Sequence, residues 1–183
     1  MPATALDPRT ALVLIDLQKG IVGLPSVHPS AEIVERGARL AEAFRAKGLP
    51  VVLVNVAGRA PGRTDAPLPG GQPPADWAEL VPELNQQPQD ITVTKQQWGA
   101  FYGTSLDLEL RRRGVTQIAL AGIATSIGVE STARDAYEHG YHVTIATDAV
   151  TDLDADAHRN SVEKIFPRLG ETDTTDAIIK LLG

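Results

Sequence analysis

The chain has 183 residues, 43% of them hydrophobic and 22% charged, a composition typical of one soluble globular domain. Its formal net charge of -6 gives no general attraction for nucleic-acid phosphates or an anionic membrane, so we expect neither partner. The chain has no cysteine, which excludes disulfides, thiolate metal sites and cysteine catalysis. Residues 1–8 show no secretion signal, so we expect a cytoplasmic protein.

Apolar runs alternate along the chain with segments of helical period, a pattern typical of right-handed βαβ units. The pattern predicts a single α/β domain over residues 1–183, a three-layer α/β/α sandwich around a mostly parallel six-stranded sheet. Strands are expected near 11–16, 50–56, 90–94, 117–122, 141–147 and 168–171. Helices are expected near 30–47, 105–113, 126–139, 154–166 and 174–182.

Residues 57–88 interrupt this alternation, because their many prolines and glycines prevent long regular elements. Such a segment inside one alternating pattern is typical of a lid over a site, and a linker is the alternative. Within it, Trp77 either pins the segment to the body or projects into a pocket.

Three stretches of the chain place polar or glycine-rich residues at the ends of predicted strands. Asp16 ends the first strand, Lys95 follows the third, and the turn from Gly122 to Gly128 joins the fourth strand to a helix. Ligands of parallel sheets bind at the carboxyl ends of the strands, so we expect these three stretches to line one crevice. From pattern alone, Asp16 equally fits a turn cap, and Lys95 fits a solvated surface charge.

This order of residues resembles the isochorismatase-like hydrolase superfamily, which includes nicotinamidases, other cysteine amidohydrolases and isochorismatases. In that family an Asp ends the first strand, a Lys follows the third, and a Cys opens the helix after a Gly-hydrophobic-Ala-Thr turn. The resemblance runs from about residue 10 to the C-terminus and implies catalytic positions at Asp16, Lys95 and Gly128. It is closest to a bacterial branch that shares the stretch from Lys95 to Thr104 and also has glycine in place of the cysteine.

The resemblance also implies how the substrate is held. The Ile123-Ala124 peptide matches a non-proline cis bond of relatives, which would aim the amides of Ala124 and Gly128 into the crevice as an oxyanion or carboxylate pocket. An ordinary trans turn is the alternative. The expected substrate-binding residues are Gln18, Trp98, Tyr102, Ile123, Ala124, Thr125 and Ser126.

Ser126 raises a separate hypothesis, because Ala124–Gly128 differs by one residue from the Gly-x-Ser-x-Gly elbow of serine hydrolases. Asp148 and His158 follow it in the order of a Ser-Asp-His triad. The resembled family, however, has this position two residues before the nucleophile. A helix cap is therefore the favoured role of Ser126.

Metal and cofactor binding are not expected. The four histidines lack metal-ligand spacing, and Asn55–Arg59 stands where nicotinamidases carry an Asp-x-His metal motif. Arg59 and Arg63, in or near the predicted lid, are candidates to meet a substrate carboxylate.

Without a thiol at position 128, the resemblance implies a hydrolase of a small carboxylated substrate. A protonated Asp16 would donate to the enol-ether carbon of a vinyl ether such as isochorismate, and water would capture the oxocarbenium ion. Hydrolysis of a C–N bond by water, with Asp16 as base, is one alternative, and an inactive ligand-binding homologue is another. We also expect a homo-oligomer, a dimer or larger, formed through the apolar faces of the helices near 105–113 and 126–139.

Overall fold

The computed structural model describes residues 2–66 and 72–183. Its six strands form one sheet in the order β3-β2-β1-β4-β5-β6, and every strand pairing is parallel. The strands are β1 Thr10–Ile15, β2 Val51–Val56, β3 Ile91–Lys95, β4 Gln117–Ile123, β5 His142–Thr151 and β6 Glu171–Asp173. The order reverses between β1 and β4, which places the topological switch point of the sheet between these two strands.

In residues 2–66 and 72–183, seven α-helices flank the sheet. They are α1 Lys19–Val22, α2 Ser30–Ala46, α3 Leu106–Arg112, α4 Glu130–Glu138, α5 Ala155–Asn160, α6 Phe166–Leu169 and α7 Thr175–Leu181. Single turns of π-helix, Thr125–Val129 and Ser161–Ile165, precede α4 and α6, and a 3₁₀ turn spans Pro82–Leu84. None of the helices in the described part of the chain is long and apolar enough to cross a membrane.

Side chains of β1 alternate between two hydrophobic cores, one on each face of the sheet. Val13 and Ile15 join the core under α3, α4 and α6, whereas Leu12 and Leu14 join the core under α2 and α7. All six residues of β1 are buried, as a strand covered on both faces requires. The predicted three-layer α/β sandwich is therefore confirmed.

The inward faces of α3 and α4 pack within the chain, through residues such as Leu110 and Ala133. Leu108 and Tyr137 remain exposed on the same helices. The apolar faces expected to join subunits are thus largely used inside one chain, and oligomerisation stays a prediction.

Several boundaries differ from the predicted ones. Strand β5 continues to Thr151, four residues beyond the predicted end, after the register of its pairing with β4 shifts between Leu120 and Gly122. The helix predicted over 154–166 is divided by the π turn at Ser161–Ile165. Strand β6 begins only at Glu171, because Pro167 lies in the first turn of α6 and the residues up to Leu169 remain helical.

The second half of the predicted lid packs against the body of the protein. The Gly20 amide donates to the Trp77 carbonyl, and Gln18 forms an antiparallel bridge with Leu80. The Trp77 indole covers Gly20 so closely that a Cβ there would lie 2.0 Å from the ring. Trp77 therefore pins this segment in place, and it also lines a cavity, so both predicted roles apply. Residues 67–71 of the lid predicted at 57–88 lie outside the described residues.

Candidate active site

Asp16 and Lys95 form a buried ion pair at the carboxyl ends of the strands. The Lys95 Nζ donates to Asp16 Oδ2 at 2.7 Å and to the Gln97 carbonyl at 3.2 Å. Asp16 is 5% exposed and Lys95 is 2% exposed. The structure thus brings together two charged groups that are 79 residues apart in the chain, as their places at strand ends predict.

Burial dominates the electrostatics of Asp16. Desolvation raises the pKa of its carboxyl to about 6, although the charge and hydrogen bond of Lys95 act to lower the pKa. Its second oxygen, Oδ1, is buried and has no hydrogen-bond partner among the described residues. One oxygen of the carboxyl is therefore fixed by Lys95, and the other can hold a proton or a ligand atom.

Gly128 lies directly against this carboxyl. A Cβ at position 128 would lie 3.3 Å from Asp16 Oδ2, 2.9 Å from the Ile15 Cγ2 methyl and 3.5 Å from the Trp98 carbonyl oxygen. Any side chain at this position would therefore press on the Ile15 methyl and on the carboxyl group, and glycine avoids both contacts.

Gly122 allows β4 to pass close to the end of β1. Its φ is +124°, and a Cβ would lie 2.1 Å from the Ile15 carbonyl oxygen. A side chain at this position is excluded by both conformation and space. The close approach sets the turn after β4 next to Asp16, at the switch point of the sheet.

A cavity of about 210 Å³ opens above the ion pair. Asp16, Lys95 and Gly128 line it together with mostly apolar side chains from several loops. The other lining residues are Ile21, Leu24, Val56, Gly58, Arg59, Trp77, Gln97, Trp98, Ile123, Ala124, Ile127 and Leu153. A larger cleft of about 1040 Å³ runs along α2 and residues 81–89, but it contains none of the predicted site residues. The smaller cavity is the candidate active site.

Three of the predicted substrate-binding residues line this cavity. Ile123 and Ala124 do so, and the peptide between them is cis. Trp98 also lines the cavity while remaining 66% exposed. Tyr102, in contrast, is 80% exposed and lies outside the lining, so the structure does not place it in the cavity.

Gln18 is fully buried and lies outside the cavity lining. Its carboxamide accepts a hydrogen bond from the Val56 amide at 2.8 Å and donates to the carbonyls of Val56 and Trp77. The predicted contact with substrate is thus corrected to a structural role, because the side chain is committed to main-chain groups. It ties the end of β2 to the segment that carries Trp77.

Thr125 and Ser126 also lie outside the lining. The Thr125 hydroxyl is buried and hydrogen-bonds to His158 Nδ1 at 2.9 Å, whereas the Ser126 amide donates to Asp152 Oδ2 at 2.6 Å. In the described structure no side chain of the turn caps it, so the predicted capping role of Ser126 is wrong. Asp152 supplies the cap instead.

The serine triad is not assembled. His158 faces Thr125 rather than Ser126. Asp148 accepts hydrogen bonds from the amide and hydroxyl of Thr175 at 2.7 and 2.9 Å, at the start of α7. The three residues therefore take part in separate hydrogen bonds and do not form a triad in this structure.

Sequence reasoning missed Ile21, Leu24 and Leu153 as lining residues, because they lie on loops or in a single helical turn without a periodic signal. Arg59 lines the cavity as expected, whereas Arg63 does not.

Across residues 2–66 and 72–183, no group of three His, Asp or Glu side chains is placed to hold a metal ion.

The chain is also similar to known proteins in sequence and in fold. A profile of the isochorismatase domain matches residues 10–177. The uncharacterised isochorismatase family protein YwoC of Bacillus subtilis is 47% identical over 179 residues, covering 94% of this chain and 93% of that protein. The ureidoacrylate amidohydrolase RutB of Methylobacterium radiotolerans is 30% identical over 213 residues, covering 98% and 82%.

A solved structure is similar in fold over nearly the whole chain. It is an isochorismatase family protein from Burkholderia thailandensis, with a TM-score of 0.93 and 46% identity, and the match covers 97% of each chain. Both the sequence and the fold thus agree with the domain profile. The chain therefore belongs to the isochorismatase family and is a hydrolase of that superfamily.

Proposed function

We propose that this hydrolase cleaves the enol-ether C–O bond of a small carboxylated substrate by acid catalysis at Asp16. The observation that carries the proposal is the asymmetry of the Asp16 carboxyl. Oδ2 is held by Lys95 at 2.7 Å, while the buried Oδ1 has no partner in the described structure. The same carboxyl lines the candidate active site together with Gly128.

Proton transfer is the first step. The Asp16 carboxyl gives its proton to the terminal carbon of the enol ether, whose C=C electron pair forms the new C–H bond and leaves an oxocarbenium ion. Lys95 stabilises the carboxylate produced. A pKa of about 6 suits this exchange, since the carboxyl is partly protonated near neutral pH and readily recovers its proton.

Water completes the reaction. It adds to the oxocarbenium carbon and gives its proton back to the Asp16 carboxylate, and the resulting hemiketal separates into an alcohol and a ketone. No covalent enzyme intermediate forms, which agrees with a glycine at position 128. The Arg59 guanidinium, which lines the cavity, is the candidate partner for the substrate carboxylate.

Hydrolysis of a C–N bond is the second candidate function. RutB, 30% identical to this chain, is named as an amidohydrolase. In this reaction the free Oδ1 of Asp16 would accept a proton from water, and the water would attack the carbonyl carbon directly. The two candidates thus use the same carboxyl in opposite protonation states.

The pH dependence of kcat/KM separates the two. Acid catalysis predicts a rate that rises as the pH falls through about 6, whereas base catalysis predicts a rate that falls over the same range. Isochorismate with detection of pyruvate, and ureidoacrylate with detection of its C–N cleavage, are the two test substrates. Turnover of neither, together with measurable binding, would instead favour an inactive ligand-binding homologue.

Gly128→Ala tests whether the close contact between residue 128 and Asp16 matters for activity. We expect kcat/KM to fall about tenfold or more, because the new methyl would lie 2.9 Å from the Ile15 methyl and 3.3 Å from Asp16 Oδ2 and would displace the carboxyl that transfers the proton. The matched control is Gly23→Ala, where a Cβ would make only an ordinary 3.5 Å contact with the Lys19 carbonyl oxygen. Full activity in Gly128→Ala would show that the reaction does not require glycine at this position.

A further inference from the structure

Asp152 is a buried carboxylate directly after β5, and it is 2% exposed. Its Oδ2 accepts a hydrogen bond from the Ser126 amide at 2.6 Å. Its Oδ1 accepts from the amides of Leu153 at 2.7 Å and Asp154 at 3.3 Å. One side chain thus receives three main-chain amides from two separate segments.

Both of these segments form walls of the candidate active site. Ser126 lies in the turn that contributes Ala124, Ile127 and Gly128 to the cavity, and Leu153 contributes from the loop after β5. The turn has no cap from its own side chains in the described structure, so Asp152 replaces it. The Asp152 carboxylate is therefore hydrogen-bonded to both walls of the cavity, although Asp152 is not itself a lining residue.

We infer that Asp152 is a positioning residue, which fixes the turn from Ala124 to Gly128 against Asp16. The inference rests on the proposed function for its consequence in catalysis. A carboxylate is required because both of its oxygens accept hydrogen bonds. An asparagine has one acceptor oxygen, and its NH₂ group would face at least one of the three amides as a second donor.

Asp152→Asn is the test, with Asp90→Asn as the matched control. Asp90 also has a buried carboxylate, which accepts the Gln87 amide at 2.8 Å and pairs with Arg45, but it precedes β3 at the opposite end of the sheet. We expect both variants to unfold at a lower temperature, because each leaves a buried donor poorly matched.

Only the first variant is expected to lose activity. Asp152→Asn should lower kcat about tenfold or more while KM changes less than about threefold, since displacement of the turn moves the wall of the cavity that positions the reacting atoms against Asp16. Asp90→Asn should leave kcat and KM within about twofold of the starting protein. Equal activities of the two variants, assayed well below both unfolding temperatures, would overturn the inference.

Hydrogen exchange of the Ser126 amide, followed by NMR, keeps the two proposals apart. If the unmodified protein hydrolyses neither class of substrate, the proposed function is wrong. The hydrogen-exchange rate of the Ser126 amide then tests the role of Asp152 without any activity measurement. Exchange at Ser126 that is about tenfold faster in Asp152→Asn than in Asp90→Asn supports the fixing of the turn. Equal exchange rates in the two variants overturn it.

Discussion

Replacement of Asp16 by Asn is expected to lower kcat/KM by a factor of about 10² to 10⁴, the range associated with a lost general acid or base. The amide is nearly the size of the carboxyl but cannot deliver a proton. The loss is expected for both an enol ether and an amide substrate, since each reaction passes a proton through the same oxygen. Kinetics with both substrates at several pH values provide the measurement.

A matched control separates this loss from a general effect of removing an acid near the site. Asp76 precedes the cavity-lining Trp77, and its carboxylate pairs with the exposed Lys19 at 3.1 Å. Asp76→Asn is expected to retain at least half of the activity, because exposed ion pairs contribute little. Retention of more than about a tenth of the activity by Asp16→Asn would remove Asp16 from the role of acid or base.

The fold and the central pair could be predicted from sequence because both follow from burial. Strands covered on two faces are continuous apolar runs, as in Thr10–Ile15, so their ends are easily located. Asp16 follows such a run, whereas Lys95 ends β3, in which buried residues alternate with exposed threonines. Parallel strands bring both carboxyl ends to one edge of the sheet. The family resemblance then supplied the roles that pattern alone left open.

The fate of individual polar side chains could not be predicted in the same way. Gln18 and Thr125 are buried, and their partners are Val56 and His158, which are remote in the chain. Nothing in the local sequence distinguishes such a structural contact from a contact with substrate. Only the three-dimensional arrangement shows which hydrogen-bonding groups remain free.

Asp152 was missed for a related reason. The polar residues near Asp148 indicate that β5 should end there, but the bulge in its pairing with β4 allows the strand to continue to Thr151. The π turn at Thr125–Val129 closes with a hydrogen bond from the Val129 amide to the Ala124 carbonyl, a pattern without a residue signature. Nothing in the sequence therefore assigns the cap of that turn to Asp152, directly after β5.

Lys95→Met is expected to change both stability and its dependence on pH. In the unmodified protein, burial raises the pKa of Asp16 to about 6 from 3.8, so the native state binds this proton more tightly than the unfolded chain. The stability that the proton contributes is fully present below pH 3.8 and is lost as the pH rises through about 6. Without the ammonium, which lowers this pKa, the pKa rises further and the loss extends to higher pH.

At pH 8 the variant must therefore either bury an unpaired carboxylate or take up a proton. We expect its free energy of unfolding, measured in urea, to be lower by about 3 kcal/mol at pH 8, as for other broken buried ion pairs. The difference in unfolding free energy between the two proteins should narrow at pH 5, where Asp16 is largely neutral in both.

Lys19→Met, which removes an exposed lysine with two carboxylate partners, should change stability much less and equally at both pH values. A pH-independent loss in Lys95→Met would mean that Asp16 does not titrate in this range, and the acid mechanism would lose its proton donor.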